Sequence, residues 1–380
     1  MKKISVVHII TKLELGGAQE NTLYTVENMD KNIFDVILVS GMGGMLDERA
    51  RKSGVKTFFI KELRREISPF NDLAAFLKIF FLLRKIKPDI IHTHSSKAGI
   101  IARAAGFLSG VKKIVHTYHG FGFNDFQKFY IRWLYIFLER ISSLFTDFII
   151  FVSNDNLKTA LKYKILKNNN YRVIRSGIKM SRFKKEKNYE YIKKLGIEKK
   201  DLRIIVYTVA NLKPQKNPDD FIEVANKVIK ENFDVYFIYG GGGEKIEHYR
   251  NKARELGISN RCFFTGWIED SSLLHLSGDI FILTSLWEGL PRSLVEAMSS
   301  GSVPVCYRTD GVNDLILNKK NGFIVDQKDT AMMSELIKEL INNKILFNTL
   351  KEGVLNTDLS EFDIDFMVKE QEELYRKIIL

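Results

Sequence analysis

Short, continuous apolar runs recur along this chain, with stretches of helical apolar spacing between them. ISVVHII, FDVILVS, VKTFFI, PDIIHTH, KIVHTYH and DFIIFVS do so in the first half, and DLRIIVYTV, VYFIYG, CFFTG and DIFILTS in the second. Runs this short and this uniformly apolar read as strands buried on both faces, and helical stretches between them supply crossovers. The pattern is therefore α/β, with open, doubly wound parallel sheets. A chain of 380 residues is long enough for two such sheets, each with its own core. The sequence has no internal repeat and no low-complexity stretch.

In sheets of this kind ligands gather beyond the carboxyl ends of the strands. The most informative stretch is TSLWEGLPRSLVEAMSSGSVPV, residues 284–305. DIFILTS before it is strand-like and SLVEAM has helical spacing, so WEGLPR is a tight strand-to-helix turn. Pro291 is placed in the first helical turn, where a missing N–H is tolerated. Gly289, Leu290, Arg292 and Ser293 would then present backbone amides to an anion. Glu288 precedes the turn and Glu296 lies inside the helix. A carboxylate accepts from two hydroxyls at once, so one glutamate suits a ribose and the other a hexose.

Other strand ends carry polar groups too. Gly16 and Gly17 open a helix after the first strand and let backbone approach a phosphate. His92, His94, His116 and His119 are expected at strand ends in the first half; without a cysteine or ordered carboxylate beside them, no metal site is expected. KPQKNPDD in the second half places Lys216 just before a helix start at Asn217, Pro218 and Asp219. YGGGGEK sets glycines between a strand and a helix, but at the wrong spacing for a dinucleotide fingerprint. Trp267 follows Gly266 at a further strand end, where packing aromatic and base platform are equally open readings.

The pair Glu288 and Glu296, continued by EAMSSGSVPV, resembles the signature of retaining glycosyltransferases, in particular glycosyltransferase family 4. PDIIHTHSSKAGIIARAAG and VHTYHGFGF are similar to the subgroup that builds bacterial surface polysaccharides and lipid-linked glycans. The resemblance covers nearly the whole chain and implies the GT-B fold, two facing Rossmann-like domains with a central cleft. It implies an acceptor-binding domain over 1–180, a nucleotide-sugar-binding domain over 181–360, and a terminal helix over 361–380 crossing back to the first. The implied reaction moves a hexose or N-acetylhexosamine from a nucleoside diphosphate sugar, a UDP-sugar, to an acceptor hydroxyl with retention. The implied acceptor is a glycan or polyprenyl-linked saccharide, and neither a cofactor nor a metal is implied.

Residue by residue, the family places Glu288, Lys216 and His119 at the reacting centre. It assigns donor contacts to Gly16, Gly17, Gly241, Trp267, Ile268, Gly289, Leu290, Pro291, Arg292, Ser293 and Glu296. An arginine usual beside the diphosphate is Asn211 in this chain; Lys213 or Arg292 are the candidates to supply its charge. Ser176 stands in VIRSGI where asparagine is commoner.

The charge distribution is uneven. Residues 1–200 carry a net +19 and residues 201–380 a net −7. The basic half is expected to face an anionic partner, such as phospholipid headgroups, a lipid diphosphate or nucleic acid, or simply to solubilise the protein. FNDLAAFLKIFFLLRKIK and FQKFYIRWLYIFLERISSLF combine aromatics with Lys and Arg, which suits core packing first and a membrane interface second. Neither is long enough to span a bilayer, and MKKISVVHII lacks a cleavage site, so a cytoplasmic protein, peripheral at the inner face of the membrane, is expected. Cys262 and Cys306 read as reduced, buried thiols. Two rival readings are an epimerase of the same fold and a basic nucleic-acid-binding protein; no nucleic-acid recognition motif supports the latter. A charged stretch over residues 184–201 reads as an unstructured hinge, and the Asp363–Asp365 pair as the cap of a terminal amphipathic helix.

Overall fold

The computed structural model describes residues 2–184, 186–198, 204–231 and 233–379. The chain divides into two compact units, one of Met1–Gly177 with Glu361–Leu380 and the other of Ile178–Ser360.

The first unit holds a sheet of seven strands, β1 (Ile4–Lys12), β2 (Phe34–Gly41), β3 (Lys56–Phe59), β4 (Ile90–His94), β5 (Lys113–Tyr118), β6 (Phe148–Phe151) and β7 (Tyr171–Val173). Their order is β3-β2-β1-β4-β5-β6-β7. Every pairing is parallel. The order reverses direction between β1 and β4, which makes that gap the place where loops part and a ligand can enter. Alternation along the strands sorts the residues into two layers. Val7, Ile9, Ile91 and Ile114 face one way, into a core with Ala75, Ile79 and Ala102 of the helices Pro69–Ile86 and Ser96–Ser109. Val6, Ile90 and Val115 face the other way and meet Ile364, Met367, Val368 and Tyr375 of the terminal helix Ile364–Ile379. That helix is capped by Asp363, whose Oδ1 accepts from the amides of Asp365 at 2.8 Å and Phe366 at 3.3 Å.

The second unit repeats the plan with six strands, β8 (Ile204–Val209), β9 (Val235–Gly240), β10 (Cys262–Gly266), β11 (Ile280–Leu283), β12 (Val303–Tyr307) and β13 (Phe323–Val325). They are all parallel in the order β10-β9-β8-β11-β12-β13, with the reversal between β8 and β11.

Two expectations change here. The stretch 184–201 is not a bare hinge: it contains the helix Glu190–Lys194, because Ile192 and Ile197 are buried and outweigh the surrounding lysines. Its Asn188 carbonyl accepts from Ser277 Oγ at 2.6 Å, and residues 185 and 199–201 of the stretch lie outside the described residues. The helix Phe129–Ser143 is not only core. Phe129, Trp133 and Phe137, one turn apart along it, are 75%, 53% and 58% exposed, and Tyr130 and Leu134 continue the same apolar face. Among the described residues no helix is long and apolar enough to cross a membrane.

Candidate active site

In the second unit the polar groups collect at the carboxyl ends of β8, β11 and β12. After β8 the chain forms the short turn Pro214–Lys216, and Asn217 adopts a left-handed conformation (φ 49°) before the helix Pro218–Lys230. Thr284, just after β11, holds this turn: its hydroxyl lies 2.9 Å from the Lys216 carbonyl and 3.1 Å from that of Asn217. The Leu286 amide donates to the Gln215 carbonyl at 2.8 Å, and the Gln215 side chain returns a bond to Trp287 at 2.7 Å. So clamped, the Lys216 ammonium pairs with the Glu288 carboxylate, and both side chains are mostly buried. Trp287 and Glu288 lead into the helix Arg292–Ser299. Pro291 is the residue before that helix rather than its first residue, and no side chain caps the end. Its first-turn amides are therefore available to a ligand rather than to the protein's own side chains. Gly289, Leu290 and Pro291 are buried, with Gly289 and Leu290 packed against Gly311.

Glu296 faces back into the unit. Its Oε2 is 3.1 Å from His275 Nε2; His275 Nδ1 is 3.0 Å from the Tyr207 hydroxyl, and that hydroxyl is 3.0 Å from Ser302 Oγ. Burial alone would raise the Glu296 carboxyl, but the His275 hydrogen bond and the charges of His275, Arg292 and Arg182 outweigh it and hold the group below the usual carboxylate range. Glu296 is thus an ionised acceptor at neutral pH, held from behind by a fixed chain of partners.

The glycine run after β9 is built for close approach. Gly241 has φ 148°, and a Cβ there would lie 1.8 Å from the Ala210 carbonyl oxygen. A Cβ on Gly242 would strike the Trp267 ring at 2.7 Å, so Trp267 packs on this turn with one face while about half of it stays exposed. Ile268 packs against Gly240. Asn211 uses its carbonyl to accept from the Tyr239 hydroxyl at 3.1 Å, but its Oδ1 is buried without a hydrogen-bond partner. Ser285 Oγ, after β11, and Thr309 Oγ1, after β12, are in the same condition. Buried polar atoms are nearly always paired, so three orphans at the ends of three adjacent strands mark a surface made for a polar ligand. Ser285, Thr309 and His275 escape a reading by motif; the first two follow their strands directly, and strand-end position was the available signal.

In the first unit Gly16 is the residue before the helix Gly17–Asn28, again with no side-chain cap. His116 bonds to the Thr93 hydroxyl at 2.8 Å, not to a carbonyl. His92 and His116 lie within strands; His94 ends β4 and His119 follows β5. The register sets His8 beside His92 and Thr117 beside His94. His8 Nδ1 is 3.0 Å from His94 Nε2, and His94 Nδ1 is 3.1 Å from His119 Nε2. His8, His92 and His94 bring one nitrogen each within 4.8 Å of one another. All six of their ring nitrogens are engaged, by one another, by His119, by Thr117 and by Tyr375. Burial lowers His8 to about 3 and is the main cause holding His92, His94 and His116 well below the ordinary imidazole value, with neighbouring cationic groups adding to it. These four rings are neutral.

Known proteins resemble both halves of this arrangement. The family model described as Glycosyltransferase Family 4 matches residues 15–182, and that of Glycosyl transferases group 1 matches residues 188–354. The UDP-Gal:alpha-D-GlcNAc-diphosphoundecaprenol alpha-1,3-galactosyltransferase of Escherichia coli is 30% identical over 381 residues, covering 100% of this chain and 98% of that protein. The chain belongs to glycosyltransferase family 4. A second family 4 relative, the N,N'-diacetylbacillosaminyl-diphospho-undecaprenol alpha-1,3-N-acetylgalactosaminyltransferase of Campylobacter jejuni, is 25% identical over 87% of this chain and 88% of its own. The crystal structure of Anabaena HepE in complex with UDP aligns with TM-score 0.82 at 16% identity, covering 98% of this chain and 100% of that one. The two sheets are accordingly the Rossmann-like domains of a GT-B glycosyltransferase.

Proposed function

We propose that this family 4 glycosyltransferase transfers a hexose or N-acetylhexosamine, with retention, from a UDP-sugar to a hydroxyl of a saccharide carried on a polyprenyl diphosphate. The carrying observation is the geometry at the ends of β8 and β11, where a cation, two differently held carboxylates and uncapped helix amides meet orphaned polar atoms. In this reading the diphosphate lies on the amides of Gly289 to Ser293 and on Lys216, with Arg292 and Asn211 beside it. Glu296 accepts from the ribose hydroxyls and Glu288 from the hexose. Trp267 and Ile268 grip the base next to Gly241, while Gly16, Gly17 and His119 of the first unit contribute to the donor's sugar and phosphates.

Charge on the leaving diphosphate is met by amides and Lys216, so the reaction proceeds without a metal. No side chain in this assignment serves as a nucleophile; the departing phosphate takes the acceptor's proton as the new bond forms on the same face. The names of the relatives support the substrate class, since both act on diphosphoundecaprenol-linked sugars. The exposed face of Phe129, Trp133 and Phe137 and the basic first half support work at the inner membrane surface, where such an acceptor resides.

The donor is tested by thermal melting against a panel of UDP-sugars. A ligand present at a hundred times its dissociation constant adds about 2.7 kcal/mol of stability. Protection by UDP-hexoses and by UDP alone is expected; melting unmoved by every member of the panel would refute the donor assignment.

A further inference from the structure

The histidine cluster of the first unit continues into the terminal helix. The Tyr375 hydroxyl bonds to His92 Nδ1 and lies 3.4 Å from His8 Nε2, and His92 Nε2 is 2.6 Å from the Thr117 hydroxyl. A single chain of contacts therefore runs Thr117, His92, Tyr375, His8, His94, His119. All of these except His119 are buried. The chain lies wholly inside one compact unit, on the sheet face that the terminal helix covers.

A neutral imidazole has one N–H and one bare nitrogen, and a phenol has one proton to give. Because both nitrogens of His8, His92 and His94 are engaged, the direction of one hydrogen bond dictates the next. Two orders satisfy the whole chain, with protons pointing from Thr117 toward His119 or the reverse. The reverse order makes Thr117 an acceptor and leaves its own hydroxyl proton in need of a second partner. Among the described residues the Thr117 hydroxyl has a hydrogen-bond contact with His92 alone. A buried donor without an acceptor is costly, so the forward order is favoured.

We propose that Thr117, His92, Tyr375, His8 and His94 form a one-way hydrogen-bond chain that holds His119 in its Nδ1–H tautomer, with Nε2 accepting from His94. Tyr375, near the end of the protein, is then a positioning residue for His119. The consequence rests on the reading of His119 beside the donor sugar: in this tautomer it offers a proton to a hydroxyl and cannot serve as a base through Nδ1. It also explains why a neutral cluster is tolerated in the core, since every ring is both donor and acceptor.

Selective ¹⁵N-histidine labelling of the full chain tests this, because the seven histidines are few enough to resolve. His119→Gln identifies the His119 signals. In wild-type protein near pH 7.5 they should show a protonated Nδ1 and a bare Nε2; a protonated Nε2 would overturn the proposal without any variant being needed. Tyr375→Phe keeps the ring and removes the link, so His119 should become a mixture of tautomers, with kcat reduced about tenfold and the donor KM little changed. Unaltered His119 signals in a folded Tyr375→Phe protein would overturn it, as would one tightly held metal ion per chain bound by His8, His92 and His94. The spectra decide the hydrogen-bond chain. Full turnover in His119→Ala would instead remove the donor-side role of His119 while leaving the chain standing.

Discussion

The Lys216 ammonium and the Glu288 carboxylate pair across two turns that Thr284 and Gln215 hold together. Each is the other's counter-ion, and each is mostly withdrawn from solvent, so removing one leaves a buried charge that the other no longer balances. A bound sugar diphosphate would take over both: the phosphate for Lys216, a hydroxyl for Glu288.

Lys216→Ala should therefore lower kcat by about 10²–10³-fold, the usual value of one preorganised donor in a closed site. Combined with Glu288→Gln, the loss should be smaller than the product of the single losses, because the two share one interaction. Steady-state kinetics of the cycle checks this; strictly multiplicative effects would separate the two residues.

His275 behind Glu296 yields a pH prediction. The lowered Glu296 group contributes stability that is present above the ordinary carboxylate range and is lost as pH falls through its lower folded value. His275→Ala removes the bond that opposes burial, so the Glu296 carboxyl should rise. UDP affinity, followed by calorimetry between pH 4 and 8, should then begin to fall at a higher pH than in wild type. Identical pH profiles would show that His275 does not support Glu296.

Acid should destabilise the first unit through its neutral histidines. His8, His92, His94 and His116 have folded values far below their unfolded ones, so the unfolded chain binds more protons. Stability is full above about pH 6.5 and falls below it by up to about 1.4 kcal/mol per pH unit for each such group. Melting temperature should drop steeply between pH 6.5 and 5. A flat profile over that range would mean these rings are already charged in the fold.

The exposed stripe of Phe129, Trp133 and Phe137 should carry membrane contact. Purified protein should sediment with anionic vesicles at low salt and not with neutral ones, and Trp133→Ser with Phe137→Ser should abolish sedimentation without shifting the melting temperature. Equal behaviour toward both vesicle types would contradict docking by this face.

Much of this was legible in the sequence. The alternation of short apolar runs with helical stretches announces parallel sheets, because only a strand buried on both faces is apolar throughout. The turn around Glu288 is equally local: a strand end, a proline and a helix start lie within a few residues. What the sequence could not reveal depends on register. His8 meets His92 only because β1 pairs with β4, and Tyr375 reaches both only because the terminal helix returns to that face. His275 is hidden for the same reason, being one apolar-flanked residue in the helix Ser271–Ser277 until Tyr207 and Glu296 converge on it. The exposed face of Phe129 to Ser143 was misjudged because helical spacing of aromatics looks alike whether a sheet or a membrane covers it.

The most direct measurement is transfer itself, from α-linked UDP-hexoses and UDP-N-acetylhexosamines to a polyprenyl diphosphate-linked N-acetylglucosamine, with chelator present and the product's anomeric configuration read by NMR. An α-linked product that forms with chelator and is lost in Glu288→Gln is the predicted result. A β-linked product, or turnover undiminished in Glu288→Gln, would contradict the placement of the reacting sugar at this turn.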